Sequence, residues 1–266
     1  MEFELSAYLV GLLVGVLTAM DAVWVSLFGF LLGFEIQQVG IFFVTAIKRK
    51  VAGRTWTVGW FPAGSYVKFR GMDKEPEDAA NPADFGQQPK GKRILILLID
   101  KIVYGTIFLL SVYAIFPGEL GEGFDMVIGK FAYILQFSSQ ESLSWYASAN
   151  LLPFLVAMVS GWVLFASLLP FGGTKTQHLI FDLFGKSNTK LNSVFNTLSM
   201  LPALALMVWI VYSMVRYVNI AHEGEIWSIW GSVVAGAMTV SVLGVLIVLV
   251  IGKPIRKGGH TQDSGQ

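Results

Sequence analysis

Five apolar runs separated by polar stretches set the pattern of the chain. They lie at about residues 5–34, 94–116, 148–169, 194–218 and 226–251, and each has the length to cross a bilayer as a helix. The first is the longest, which predicts a tilted helix or one that extends past the lipid. Pro117 and Gly118 close the second run, Pro153 lies near the start of the third, and Pro202 inside the fourth permits a kink. A further apolar stretch at residues 126–137 is too short to cross and reads as an interfacial or re-entrant helix.

Between the first two runs the pattern changes. Residues 48–72, KRKVAGRTWTVGWFPAGSYVKFRGM, are rich in both strand formers and turn formers. Thr55 to Val58 and Ser65 to Phe69 read as strands, with Pro62, Ala63 and Gly64 as the turn between them. Ala52 and Gly53 make an earlier turn, after a strand over Val39 to Ile47. Irregular backbone at membrane depth must be covered by protein or line a wet cavity, which makes this region, residues 39–70, the most function-like of the chain. The expected fold class is an all-α polytopic membrane protein: five transmembrane helices with a small membrane-associated β-hairpin or sheet between helices 1 and 2. Residues 73–92, charged and rich in Pro, Asn and Gln, read as a flexible loop, and residues 252–266 as a disordered cytoplasmic tail.

Composition supports the membrane assignment. The chain of 266 residues is 54% hydrophobic and 14% charged, against about 25% charged in a soluble domain. It has no cysteine, which excludes disulfides and thiolate catalysis. The first run follows Glu2 and Glu4 rather than a basic region and no small-residue cleavage site follows it, so it is expected to be a retained helix rather than a cleaved signal. The net charge of +1 conceals segregation. Residues 35–93 hold ten Lys or Arg, and Lys175, Lys186, Lys190, Lys253, Arg256 and Lys257 extend that set. The other loops hold Glu2, Glu4, Glu119, Glu122, Asp125, Glu141, Glu223 and Glu225 against one Lys130. With five spans every basic loop falls on one side, so the positive-inside rule predicts the N-terminus outside and the C-terminus in the cytoplasm. Lys48, Arg49 and Lys50 read as positive-inside residues that touch anionic headgroups. That use of the basic residues leaves no surface for nucleic acid.

The stretch WFPAGSYVKFRG resembles the P-x-G-G-Y-V-K segment of the site-2 protease family, the intramembrane zinc metalloproteases. Pro62, Gly64, Tyr66, Val67 and Lys68 match it, and Ser65 replaces the second glycine. In that family the segment belongs to a membrane-associated hairpin between the first two helices and helps to hold the substrate in extended form. The family's first helix carries H-E-x-x-H with a glycine eight residues later. With Gly33 as that glycine, the motif falls on Asp21, Ala22, Val23, Trp24 and Val25. The second helix of the family reads G-P-x-x-N near its start, where this chain has Asp100, Lys101 and Tyr104. In the third region Leu169, Pro170 and His178 match, while Lys175 falls on the metal-binding aspartate. The resemblance covers roughly residues 12–217, so residues 1–217 read as a site-2-protease-like core and residues 226–251 as an additional helix.

The resemblance implies a frame without its chemistry. Zinc hydrolysis needs three ligands, an open position for water and a base. Here the positions would be Asp21, Val25 and Lys175, with Ala22 as base, so no metal or other cofactor is expected and the chain is not expected to be an enzyme. His178, His222 and His260 fall at a loop-helix junction, on the far side and in the tail, and do not meet. A carboxylate in lipid must be paired or face water. The frame brings helix 1 near Lys175, so Asp21 pairs with Lys175 or with Lys101, or stays neutral and hydrogen-bonded. The hairpin residues Trp56, Trp60, Pro62, Gly64, Tyr66, Val67 and Lys68 either add a strand to an extended partner or pack the protein's own helices and anchor it at the interface. The expected function is a non-catalytic, pseudoprotease-like subunit of a complex with other integral membrane proteins, embedded in membrane lipids. The frame suggests a bacterial inner membrane. The alternatives are a small-molecule or ion transporter using Asp21 and Asp100, and a metalloprotease with atypical ligands.

Overall fold

The first apolar run forms one uninterrupted helix, α1 (Glu2–Leu31). The structure is a computed structural model that describes residues 2–72, 82, 84–135, 151–168 and 226–254, and positions 175, 176, 179, 205, 208, 209, 212, 213 and 216. After α1 come β1 (Ile36–Val51), β2 (Arg54–Phe69), a 3-10 turn (Phe85–Gln87), α2 (Lys90–Ile115), α3 (Leu120–Ile134), α4 (Leu151–Leu168), α5 (Ile226–Ile251) and β3 (Lys253–Pro254).

At about 1.5 Å per residue, the 30 residues of α1 reach about 45 Å, well beyond an apolar bilayer core of about 30 Å. A glycine ends it. Gly33 takes φ +84°, a left-handed conformation that costs glycine nothing. The amide of Phe34 then bonds the Gly29 carbonyl at 2.9 Å and that of Gly33 the Phe30 carbonyl at 3.1 Å, a Schellman closure. The Lys92 ammonium caps the same end by donating to the Leu32 carbonyl at 3.0 Å, a cation at the negative pole of the helix.

Two corrections to the expected fold class follow. First, among the described residues five α-helices are present and three are long and apolar enough to span: Ala7–Leu31, Lys90–Ile115 and Trp227–Ile251. The expected third span is the shorter α4, whose 18 residues extend about 27 Å, short of the apolar thickness. The expected fourth, residues 194–218, lies outside the described residues except at isolated positions. The orientation with the N-terminus outside and the C-terminus inside rested on five spans and falls with that count. Second, the protein is not all-α with a small hairpin. Two 16-residue strands and β3 form a three-stranded sheet in the order β2-β1-β3.

The turn of this hairpin is Ala52-Gly53, and Pro62-Ala63-Gly64 lies within β2. A two-residue turn that matches strand twist needs positive φ at both central positions, and Ala52 (+49°) and Gly53 (+79°) supply it. Proline is tolerated in a strand where the ladder is interrupted. Between Ile41↔Ser65 and Phe43↔Phe61 the register slips, and Pro62 sits in that gap. Here the hairpin doubles back, so that Gln38 to Ile41 pair with Ser65 to Lys68 on one edge and Thr55 to Val58 on the other. Phe42 and Val44 turn the corner with φ of +67° and +57°, strained values for side chains of this kind.

The sheet packs against α1, α2 and α5. Ala22 and Val25, Val39 and Val58, Ile96 and Leu97, and Val248 share one buried cluster. Arg70 fastens the exit of β2: it pairs with Glu35 at 2.8 Å and with the buried Asp84 at 3.0 Å. Phe34, Phe69 and Phe85 pack together nearby with ring centroids 5.2–5.9 Å apart. A second cluster joins α2, α3 and α4 through Val112, Val127, Phe154 and Ala157.

α5 is integral to this arrangement. Contacts between α1 and α5 ascend together, from Gly11 against Val233 to Gly15 against Val240, so the two helices run in the same direction. Small residues let the backbones approach: a methyl group at Gly236 would overlap the Tyr8 carbonyl. The Tyr8 and Thr239 hydroxyls bond at 3.0 Å beside this contact. Gly236→Ala is therefore expected to cost about 1–3 kcal/mol through overpacking. Gly231→Ala, with nothing within 4 Å of the added carbon, is expected to be neutral or stabilising by roughly 0.5–1 kcal/mol. Thermal unfolding of both variants in one detergent checks the contrast; equal midpoints would contradict the packing described.

Candidate functional site

Asp21 lies on the face of α1 that looks toward α2 and the sheet, one residue from the fully buried Ala22 and four from Val25. In that apolar setting a lone carboxylate would be costly, and Lys175 and Ser65 supply its partners. The Lys175 ammonium bonds both oxygens of Asp21, at 2.9 and 3.0 Å. The Ser65 hydroxyl, from β2, donates to Asp21 Oδ2 at 2.7 Å. From α2, Asp100 Oδ2 accepts from the same Lys175 ammonium at 3.5 Å. Asp100 in turn holds the Lys101 ammonium at 3.1 Å from each of its oxygens and accepts the Lys101 backbone amide at 2.9 Å.

The result is a neutral network of two carboxylates and two ammoniums, with side-chain exposures of 14% for Asp21, 6% for Asp100, 8% for Lys101 and 20% for Lys175. Each ion taken out of water costs several kcal/mol, and the mutual attraction offsets this only when the remaining hydrogen-bonding capacity is satisfied. Ser65 and the Lys101 amide perform that task here. Neighbouring bonds fix the frame: Tyr104 donates to the Leu17 carbonyl at 2.8 Å, joining α2 to α1 one turn from Asp21. Thr176, next to Lys175, donates to the Ser167 carbonyl of α4.

The sequence-derived positions thus divide. Asp21 and Lys175 meet directly. Lys101 is held by Asp100. Ala22 and Val25 point into the apolar cluster. His178, His222 and His260 lie outside the described residues. Of the hairpin residues, Trp56 packs on the core cluster and Val67 is buried within it, whereas Trp60, Tyr66 and Lys68 are exposed. They do not form one continuous face. The Tyr66 hydroxyl accepts from Gln38 and meets the Thr57 hydroxyl, and Gly64 takes φ +148°. The side chain of Pro62 lies outside what the structure describes. Two members of the network escape a reading of motifs: Ser65, whose signal is a hydroxyl where the resemblance has glycine, and Asp100 as a partner of Lys175. Outside the spans, the hydrogen bond and charge of Glu35 raise the pKa of the Arg70 guanidinium.

The zinc that the resemblance implies does not fit these residues. Of the three positions for its ligands, Val25 offers no donor and Lys175 brings a positive charge already bonded to the third, Asp21. Among the described residues no three His, Cys, Asp or Glu side chains converge as a metal site. No model of a protein family matches the chain, and no curated protein matches it.

Lys175→Met removes the shared cation and leaves Asp21 without an ion partner, while Asp100 keeps Lys101. A loss of about 3–5 kcal/mol is expected, as for other broken buried pairs, with part regained in Lys175→Met/Asp21→Asn. Ser65→Ala deletes one hydrogen bond to a charged group, worth about 1.5–3 kcal/mol. Unfolding in detergent measures all three, and an unchanged Lys175→Met would show the network to be energetically idle.

Proposed function

We propose that this integral membrane protein is a catalytically silent relative of the intramembrane zinc proteases that serves as a binding, regulatory or structural subunit of a membrane complex, in a bacterial inner membrane. The observation that carries the reading is the placement of the Lys175 ammonium on Asp21, two of the three positions where the resemblance would put metal ligands. An ion pair there holds α1, α2 and the segment of Lys175 together as a metal would, but has no open coordination position for a reacting water.

The transport alternative has less support. Asp21 and Asp100 are both committed to ammonium partners, and a carrier site needs groups that exchange partners. A cavity of about 330 Å³ elsewhere, lined by Phe108, Phe131, Gly161, Trp162, Phe165 and Leu168, is almost wholly apolar and gives an ion no path.

Purification in a mild detergent with identification of what accompanies the protein tests the proposal. Stoichiometric co-purification of another integral membrane protein is expected. A monodisperse monomer without a companion, from cells and from crosslinked membranes alike, would contradict the subunit role.

A further inference from the structure

β3 closes the sheet in a way that electrostatics alone disfavours. In the pairing of β1 with β3, Lys50 lies opposite Lys253 and Arg49 opposite Pro254. Like charges directly across a ladder destabilise it. Lys48 adds a third ammonium to the same face, because side chains two apart in a strand point the same way. All three lysines are exposed. Among the described residues the ion pairs engage other cations, Arg70, Lys101 and Lys175, and no carboxylate neutralises this trio. The face has the form of half an interaction, lacking its anion.

The neighbourhood says which anion fits. β3 follows α5 after a single residue, and the last turns of α5 expose Ile247 (57%), Val250 (84%) and Ile251 (58%). Apolar surface of that extent beside a cationic cluster matches a molecule with an acyl body and a negative head. It does not match a free anion, which has no use for the apolar half. α5 runs directly into β3, which pairs with β1, and the end of α1 reaches the same sheet where the Arg54 guanidinium lies 5.3 Å from the Phe30 ring, which places the lysines where a spanning helix leaves the apolar layer.

We propose that Lys48, Lys50 and Lys253 form a binding site for the phosphate headgroup of an anionic phospholipid, whose chains lie along the C-terminal turns of α5. The headgroup cancels the repulsion between Lys50 and Lys253, so lipid binding and the closure of β3 onto β1 are one event. The site joins residues about two hundred positions apart, and it stands whether or not the subunit reading holds.

The full chain, purified in neutral detergent, is titrated with mixed micelles of phosphatidylglycerol or of phosphatidylcholine, and both retained lipid and the thermal midpoint are measured. Wild type is expected to retain phosphatidylglycerol in excess and to gain stability from it. At a contribution equivalent to roughly fivefold in affinity per lysine near a lipid surface, the triple variant Lys48→Gln/Lys50→Gln/Lys253→Gln should bind about a hundredfold more weakly. In neutral detergent alone Lys253→Gln should unfold no lower than wild type, since repulsion is removed, and Lys253→Arg should keep the lipid effect. Equal retention of phosphatidylglycerol by wild type and triple variant would overturn the proposal. So would inorganic phosphate that stabilises wild type as well as the lipid does, because the apolar half of the site would then be idle.

Discussion

A cation shared by two carboxylates inside an apolar core is the constraint on which the rest of this structure depends. Lys175 touches Asp21 of α1 and Asp100 of α2; it is the cation that lets α1 keep its acid at that depth, as Lys101 does for Asp100 on α2. The pairing constrains direction as well as distance. Asp21 must face α2, so Ala22 and Val25 face the core they share with the sheet. Asp100 must face α1, which sets Tyr104, one turn on, against the Leu17 carbonyl. Ser65 then draws the returning arm of the doubled-back hairpin onto the same point. Buried ion networks add little net stability compared with apolar packing. Their effect here is specificity: of the many ways in which apolar helices can rotate against each other, one satisfies every charge.

The sheet and α5 complete that selection from the outside. The hairpin folds over at Phe42 and Val44, both in left-handed backbone, and the strain there is held by pairing on both edges of β1. α5 approaches α1 at Gly236 and Gly11 closely enough that side chains are excluded. Ser241 then donates to the Trp60 carbonyl at 3.3 Å, tying α5 to the bend of β2. α5 is thereby built into the same core as α1 and the sheet.

Much of this was legible in residue order, for identifiable reasons. Long apolar runs report spans well when they are much longer than the bilayer is thick, as for α1, α2 and α5. They report poorly near the threshold, where α4 falls short by about two residues. The sheet was visible from its strand and turn formers, including the turn at Ala52-Gly53, but the turn read at residues 62–64 lies within a strand. Proline and glycine at residues 62–64 are the louder signal, whereas Ala52-Gly53 meets the backbone demand of the hairpin. β1 continues through Lys48, Arg49 and Lys50, residues whose charge marks a membrane surface but does not reveal the pairing of Arg49 and Lys50 with β3. The approach of Lys175 to Asp21 was inferable only from an outside frame, because 154 residues separate them. Ser65 and Asp100 became members of the site through distance alone.

A chain with no native cysteine offers a direct test of the central contact. Cysteines placed at residues 21 and 175 can be joined in native membranes with a short bifunctional thiol reagent, with a pair at residues 130 and 175 as reference. The account predicts efficient intramolecular linkage of the first pair and none of the second. Two thiols at residues 21 and 175 that each react singly but never join would contradict it.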